Sequence, residues 1–115
     1  MWRIESTVRF ERWAISLSAE DREAITAHLL VLREKGPALG RHYVDTIKGS
    51  HIKNLKEIRV QSRRKVIRIL FVFTEQRIAL LLTGGDKRGK SRFYEALIRE
   101  AEIEYQNYLA DQADL

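Results

Sequence analysis

Residues with chemistry to offer are concentrated between Lys48 and Tyr94. This stretch holds 13 of the 21 Lys and Arg residues against three acids, Glu57, Glu75 and Asp86, and so carries a net charge of +10. The remainder, with eight bases and 13 acids, is net negative at −5. A polyanion is the natural partner of such a segment. Arg68 is the oddity within it, a guanidinium in the middle of the run Lys65 to Phe73, which is otherwise fit for burial. Period-two alternation over Leu55 to Val60 places Glu57 and Arg59 on one strand face, opposite Lys56, Ile58 and Val60. Arginine forks match phosphate oxygens in pairs. Around this inner set lie Lys48, Lys53, Lys56, Arg63, Arg64, Lys65, Lys90 and Arg92, whose one-sided concentration favours contact with a nucleic-acid backbone over an ordinary solvated surface.

Other chemistries are poorly supplied. Cysteine is absent, which excludes disulfides, thiolate zinc sites and a Cys nucleophile. His28, His42 and His51 lack metal-ligand spacing, so no metal or other cofactor is expected; His51, beside the basic stretch, is the one histidine to test as a proton carrier. Gly84-Gly85 before Lys87-Arg88 lacks the spacing of a phosphate-cradling loop and reads as the end of a hairpin. The N-terminus carries charge where a signal peptide needs an apolar run, and no apolar stretch approaches the ~20 residues of a membrane span. A cytoplasmic protein with no membrane partner is expected.

The elements that must position these residues follow from pattern. A chain of 115 residues, 44% hydrophobic, is expected to form one domain over residues 1–115. Trp2 and Ile4 alternate with charges as a short strand. Thr7 can cap a helix bearing Phe10, Trp13, Ala14 and Leu17 on one face, and Ser18 followed by Asp21 starts a second with Ile25, Leu29 and Leu32. Gly36-Pro37 stops it. Residues 36 to 53 read as a long loop. Strands at 55–60, 65–73 and 77–83 follow, the last broken by Thr83-Gly84-Gly85-Asp86. Ser91 caps a final helix with Leu97, Ala101, Tyr105 and Tyr108 inward. The expected fold is α+β in the order βααβββα: an antiparallel meander covered on one face by helices, with the other face left to Arg59 and Arg68.

An ordered set of features resembles the HigB-like, phage-derived branch of the RelE/ParE toxin superfamily. It comprises Trp13, Leu-Arg-Glu-Lys-Gly-Pro at 32 to 37, Leu39-Gly40, Asn-Leu-Lys-Glu-Ile-Arg at 54 to 59, Arg68-Ile69-Leu70, Lys87 through Phe93-Tyr94, and Ala101-Glu102 with Tyr105. The resemblance covers residues 2 to about 109 and implies a RelE-like fold, an N-terminal αα-hairpin packed on a curved antiparallel sheet with a C-terminal helix.

For RelE-like members it further implies a ribosome-dependent mRNA endonuclease acting in the ribosomal A site without a metal, neutralised by a co-encoded antitoxin that in the HigB branch is typically a helix-turn-helix protein. By that resemblance Arg68 matches the central-strand arginine, Arg59 a basic residue on the preceding strand, Arg88 (or Lys87) the base after the last strand, and Tyr94 the tyrosine six positions beyond Arg88. Glu57 departs from the pattern, since RelE-like toxins often have Lys on this strand. RNA cleavage requires the 2′-hydroxyl deprotonated, charge on the phosphate neutralised and the 5′-oxygen protonated. Arg68 and Arg59 suit the phosphate; Glu57, Lys56, Lys87 and Tyr94 are the candidate bases, and Tyr94 can alternatively stack on a nucleobase. The plainer alternative for Arg68 is a cross-strand pair with Glu57. Two other functions share the fold and charge: a ParE-like, non-enzymatic inhibitor of DNA gyrase, and an RNA-binding member without catalysis.

Overall fold

The computed structural model describes residues 1–40 and 43–114. Five strands and three α-helices follow one another as β1 (Arg3–Ser6), α1 (Val8–Ile15), α2 (Ala19–Lys35), β2 (Val44–Thr46), β3 (Lys56–Ser62), β4 (Lys65–Phe73), β5 (Ile78–Asp86) and α3 (Phe93–Ala113), with a 3-10 turn at Gly36–Ala38. The helix starts obey their capping signals. Thr7 Oγ1 accepts from the Phe10 amide at 3.1 Å and Ser18 Oγ from the Asp21 amide at 3.2 Å, each satisfying a donor left over in a first turn. Gly36 ends α2 at a φ of 51°, where its missing Cβ is also required by the Trp2 indole, 2.3 Å from the position a Cβ would take.

The sheet has the order β1-β5-β4-β3-β2. Strands β2 to β5 are antiparallel neighbours, as the meander predicts, but β1 adds to β5 in parallel, pairing Arg3 to Ser6 with Ile78 to Leu81. The stretch read as a long loop contains the 3-10 turn and β2, a three-residue edge strand too short to carry a period. His42 lies outside the described residues.

Helices cover both faces of the sheet, not one. Ile58, Val60, Ile67, Ile69, Phe71 and Leu81 pack with Phe10, Ile25 and Leu32 of α1 and α2. On the opposite face Leu70, Val72, Leu80 and Leu82 pack with Phe93, Leu97 and Ala101 of α3, flanked by Tyr94, Tyr105 and Tyr108. The physical reason is in the strands themselves: Leu70, Val72, Leu80 and Leu82 are apolar on the face expected to be free, and apolar residues on both sides of a strand require two covers. Arg59 and Arg68 lie on the α3 face, where Tyr94 from the first turn of α3 covers Arg68.

Gly84 and Gly85 belong to β5 and do not break it. A Cβ on Gly84 would stand 2.3 Å from the Trp13 ring and one on Gly85 2.9 Å from the Phe93 ring, so the two glycines receive an aromatic from each side of the sheet. The strand gains one extra residue, Leu82, between the pairs Phe71 with Leu81 and Leu70 with Thr83. Among the described residues no helix is long and apolar enough to cross a membrane.

Gly84→Ala tests this account of the diglycine. Forcing a methyl against Trp13 should destabilise the fold by roughly 1–3 kcal/mol, read as a lowered urea midpoint with an unchanged slope; unaltered stability would show that the indole yields freely.

Candidate active site

The site starts from strand register. Pairing places Asp45 opposite Glu57 and Arg59 opposite Arg68, with Gly85 on the far side of Arg68. Two arginines directly opposed across a ladder repel, and the arrangement holds only with an anion between them. Glu57 is that anion. It is 1% exposed; its Oε1 accepts from Arg59 Nε at 3.0 Å and its Oε2 from the Tyr94 hydroxyl at 2.5 Å. Arg59 Nη2 also reaches Asp45 at 3.4 Å.

Arg68 is held more loosely. Its Nη1 donates to the Val66 carbonyl at 3.2 Å, and its Nε lies 3.7 Å from Glu57 Oε2, close enough for charge attraction and too far for a hydrogen bond. This buried Nε therefore has no hydrogen-bond partner among the described residues. An unsatisfied buried donor costs about 1–3 kcal/mol, and this one belongs to a side chain that lines a surface depression. The depression, about 270 Å³, is lined by Arg64, Lys65, Arg68, Lys87 and Arg88 with Asp86.

Tyr94 reaches Glu57 because of the residues around it. Arg92 takes a left-handed conformation (φ 56°) at the start of α3, with no side-chain cap, so the expected Ser91 cap is not formed. Phe93 then seats on Gly85, and Tyr94 follows over Arg68, whose Cζ is 5.8 Å from its ring centroid; Lys87 Nζ is 5.6 Å from the same centroid. Burial first, then the bond donated to Glu57 and that carboxylate's charge, push the Tyr94 phenol up to about 12.

The remaining expected residues separate into groups. Arg88 turns back on Asp86, through its amide at 3.1 Å and its Nε at 3.0 Å, and stands at the rim. Lys56 donates to Thr46 Oγ1 at 2.8 Å on the other side of β3 from Glu57. Lys48, Lys53, Arg64 and Lys90 are exposed; Arg92 is exposed beside Glu95. Arg63 pairs with Glu20. Lys65 pairs at 2.5 Å with the buried Asp21 of α2, which also accepts from Ser62 Oγ at 2.6 Å. Lys65 thus ties the β3–β4 hairpin to the helical layer, a structural role that the reading of Asp21 as a capping residue did not reveal. His51 is anchored by its amide to Glu102 at 2.7 Å and makes no hydrogen bond or ion pair with Glu57, Arg68 or Tyr94 among the described residues. His28 Nδ1 lies 2.8 Å from the Ala24 carbonyl within α2. Two links had no sequence signal: Asp45 on an unrecognised strand, and the hydroxyl of Tyr94, 37 positions from Glu57. A larger cleft of about 800 Å³ between α1 and α3 has Trp13, Gly84 and Phe93 in its walls and contains none of Glu57, Arg68 and Tyr94.

Residues 12–106 match the family described as Phage derived protein Gp49-like. Two curated proteins of Mycobacterium tuberculosis (strain ATCC 25618 / H37Rv) are similar in sequence. The candidate toxin HigB2 is 40% identical over 108 residues, 92% of this chain and 54% of HigB2. The candidate toxin HigB3 is 39% identical over 103 residues, 89% of each chain. The chain therefore spans about half the length of HigB2 and nearly all of HigB3. Among solved structures, the isolated E. coli RelE toxin superposes with a TM-score of 0.59 at 13% identity, covering 84% of this chain and 95% of that one. The archaeal RelE-RelB complex from Pyrococcus horikoshii OT3 gives 0.60 at 15% identity, covering 78% and 98%. The fold is RelE-like.

Two titrations test the ion-pair geometry. Tyrosinate absorbance lost on Tyr94→Phe should show a midpoint near 12 in the wild type and a lower one in Glu57→Gln; a wild-type midpoint near 10 would contradict the buried bond. Hydrogen bonds from Lys65 and then Ser62, with the charge of Lys65, hold the Asp21 carboxyl below its ordinary value against the effect of burial. The lowered native pKa contributes stability above the unfolded value of about 4 that is lost as pH falls through the native one. Asp21→Asn should accordingly be less stable at neutral pH and lose less stability on acidification, measured by urea unfolding at pH 3 and 7.

Proposed function

Because the chain belongs to the Phage derived protein Gp49-like family, we propose that it is the toxin of a toxin–antitoxin pair, an endoribonuclease that cleaves mRNA in the ribosomal A site. The observation that carries this reading is Arg68: a buried guanidinium Nε without a hydrogen-bond partner among the described residues, beside a cationic depression of phosphate-binding composition. Gyrase inhibition does not require such a donor, and passive RNA binding, which would also use it, is separated by the cleavage assay.

The geometry suits two of the three tasks of RNA cleavage, neutralising charge on the phosphate and protonating the 5′-oxygen. The scissile phosphate is taken by Arg68 and the free side of the Arg59 fork, whose charge is most valuable as a further negative charge develops on the phosphorane. The Lys87 ammonium, above the Tyr94 ring, supplies the proton to the departing 5′-oxygen. Arg88, bent onto Asp86, holds the adjoining backbone. The exposed Lys48, Lys53, Arg64 and Lys90 extend the cationic surface along the nucleic acid or the ribosome.

The proposed partner beyond RNA is a co-encoded helix-turn-helix antitoxin. An acidic segment of such a protein matches the basic segment of 48 to 94 in charge. Pull-down with the product of the adjacent reading frame should recover a complex; its absence would remove this part of the reading.

On purified ribosomes programmed with mRNA, the wild type should cleave in the A site and Arg68→Ala should lose roughly 10²–10³-fold in rate. Undiminished cleavage by Arg68→Ala, or inhibition of gyrase supercoiling by a wild type that cleaves nothing, would overturn the assignment. Replacing Lys48, Lys53 and Lys90 by Gln together should weaken RNA binding and lower its salt dependence by about three charges' worth, while cleavage at saturation is retained.

A further inference from the structure

Glu57 cannot reach a substrate. It is 1% exposed, and its two oxygens are taken by Arg59 Nε and the Tyr94 hydroxyl. A direct attack on the 2′-hydroxyl by this carboxylate would require substrate to enter the space that Tyr94 already fills. Tyr94 keeps acceptor capacity: its proton is directed at Glu57 Oε2 over 2.5 Å, and its remaining lone pair points away from the carboxylate, on a phenol oxygen that the neighbouring Arg68 guanidinium also influences. Resting on the ribonuclease reading above, we propose that Tyr94 and Glu57 form a two-member proton relay, in which Tyr94 is the catalytic residue and Glu57 the positioning residue behind it.

In this step the Tyr94 oxygen takes the proton of the attacking 2′-hydroxyl as its own proton passes to Glu57 Oε2. The O2′–P bond forms and the P–O5′ bond breaks, and the 5′-oxygen takes a proton from the Lys87 ammonium. The products are a 2′,3′-cyclic phosphate and a 5′-hydroxyl. Exchange with water returns the proton of Glu57 to solvent and one to Lys87, so no oxidant, metal or other co-reactant enters the balance. The phenol stays protonated throughout the neutral range, because its burial and its carboxylate neighbour push it up to about 12; it acts by passing a proton through, without forming free tyrosinate.

The relay also sets the timing of charge. While Glu57 is ionised it attracts Arg68, 3.7 Å away, and Arg59. Once the proton arrives that attraction ends, just as negative charge accumulates on the phosphorane. Both guanidinium groups are then released to the phosphate at the moment it needs them. Charged and titratable groups around the carboxylate are Asp45 and Arg59 from β2 and β3, Arg68 from β4 and Tyr94 from the first turn of α3, with Lys87 over the Tyr94 ring.

A substrate mRNA with sulfur in place of the bridging 5′-oxygen separates the roles, since a thiolate leaves without protonation. On ribosomes loaded with the ordinary mRNA, Glu57→Gln and Tyr94→Phe should each slow cleavage by at least about 100-fold, as should Lys87→Ala. With the sulfur substrate Lys87→Ala should recover the wild-type rate, while Glu57→Gln and Tyr94→Phe should remain slow. On the sulfur substrate the wild-type solvent deuterium isotope effect, which reports the protons passed along the relay, should be reduced in Glu57→Gln. Recovery of either relay variant on the sulfur substrate, wild-type rates in Glu57→Gln on the ordinary one, or an unchanged isotope effect would overturn the relay. Tyr94→Phe keeps the carboxylate in place and decides the matter if Glu57→Gln does not fold. A wild type inactive on both substrates would instead overturn the ribonuclease reading, and the relay with it.

Discussion

A single buried carboxylate organises the candidate site of this molecule. Glu57 lies on β3, within reach of Arg59 of its own strand and Arg68 of β4, and without it the two arginines would face one another across the ladder uncompensated. Removing the anion from such a cluster leaves buried positive charge, which is costly. Glu57 also receives the hydroxyl of Tyr94 and so fixes the start of α3 against the sheet. The strand layer, the last helix and the cationic depression are held in register through this one residue.

The cluster is only possible because the surroundings are shaped for it. Gly85 has no side chain beside Arg68, and the Phe93 ring occupies the room so left. Gly84 does the same for Trp13 on the opposite face, so adjacent glycines allow two aromatic residues to clamp the end of β5. Lys65 and Asp21 perform the corresponding service at the β3–β4 hairpin, joining it to α2. The consequence is a frame in which, among the described residues, the buried Arg68 Nε is left open. Under the proposed function such a donor would meet charge that develops during reaction with little reorganisation.

Much of this was legible from pattern. Alternation placed Glu57 and Arg59 on one face, and the misfit of Arg68 in an apolar run marked it; the capping residues Thr7 and Ser18 and the stop at Gly36 hold as expected. What failed did so for identifiable reasons. Glycine pairs read as strand breakers, yet here their lack of Cβ serves packing within a strand. The second apolar face formed by Leu70, Val72, Leu80 and Leu82 was present in the sequence and signalled two-sided burial, but that face was assigned to Arg59 and Arg68 and left without a helix. The bond between Tyr94 and Glu57 joins elements 37 positions apart and no local period encodes it. Lys65 looked like any other basic residue of a turn, because its partner Asp21 belongs to a distant helix whose own capping pattern already explained it.

The central claim is that Glu57 and Tyr94 act as one unit within an RNA-cleaving site. A double-mutant cycle in the cleavage rate on programmed ribosomes tests it most directly, with Glu57→Gln and Tyr94→Phe measured singly and together. The double variant should be no slower than the slower single variant, since breaking either member already interrupts the unit. Losses that multiply in the double variant would contradict it.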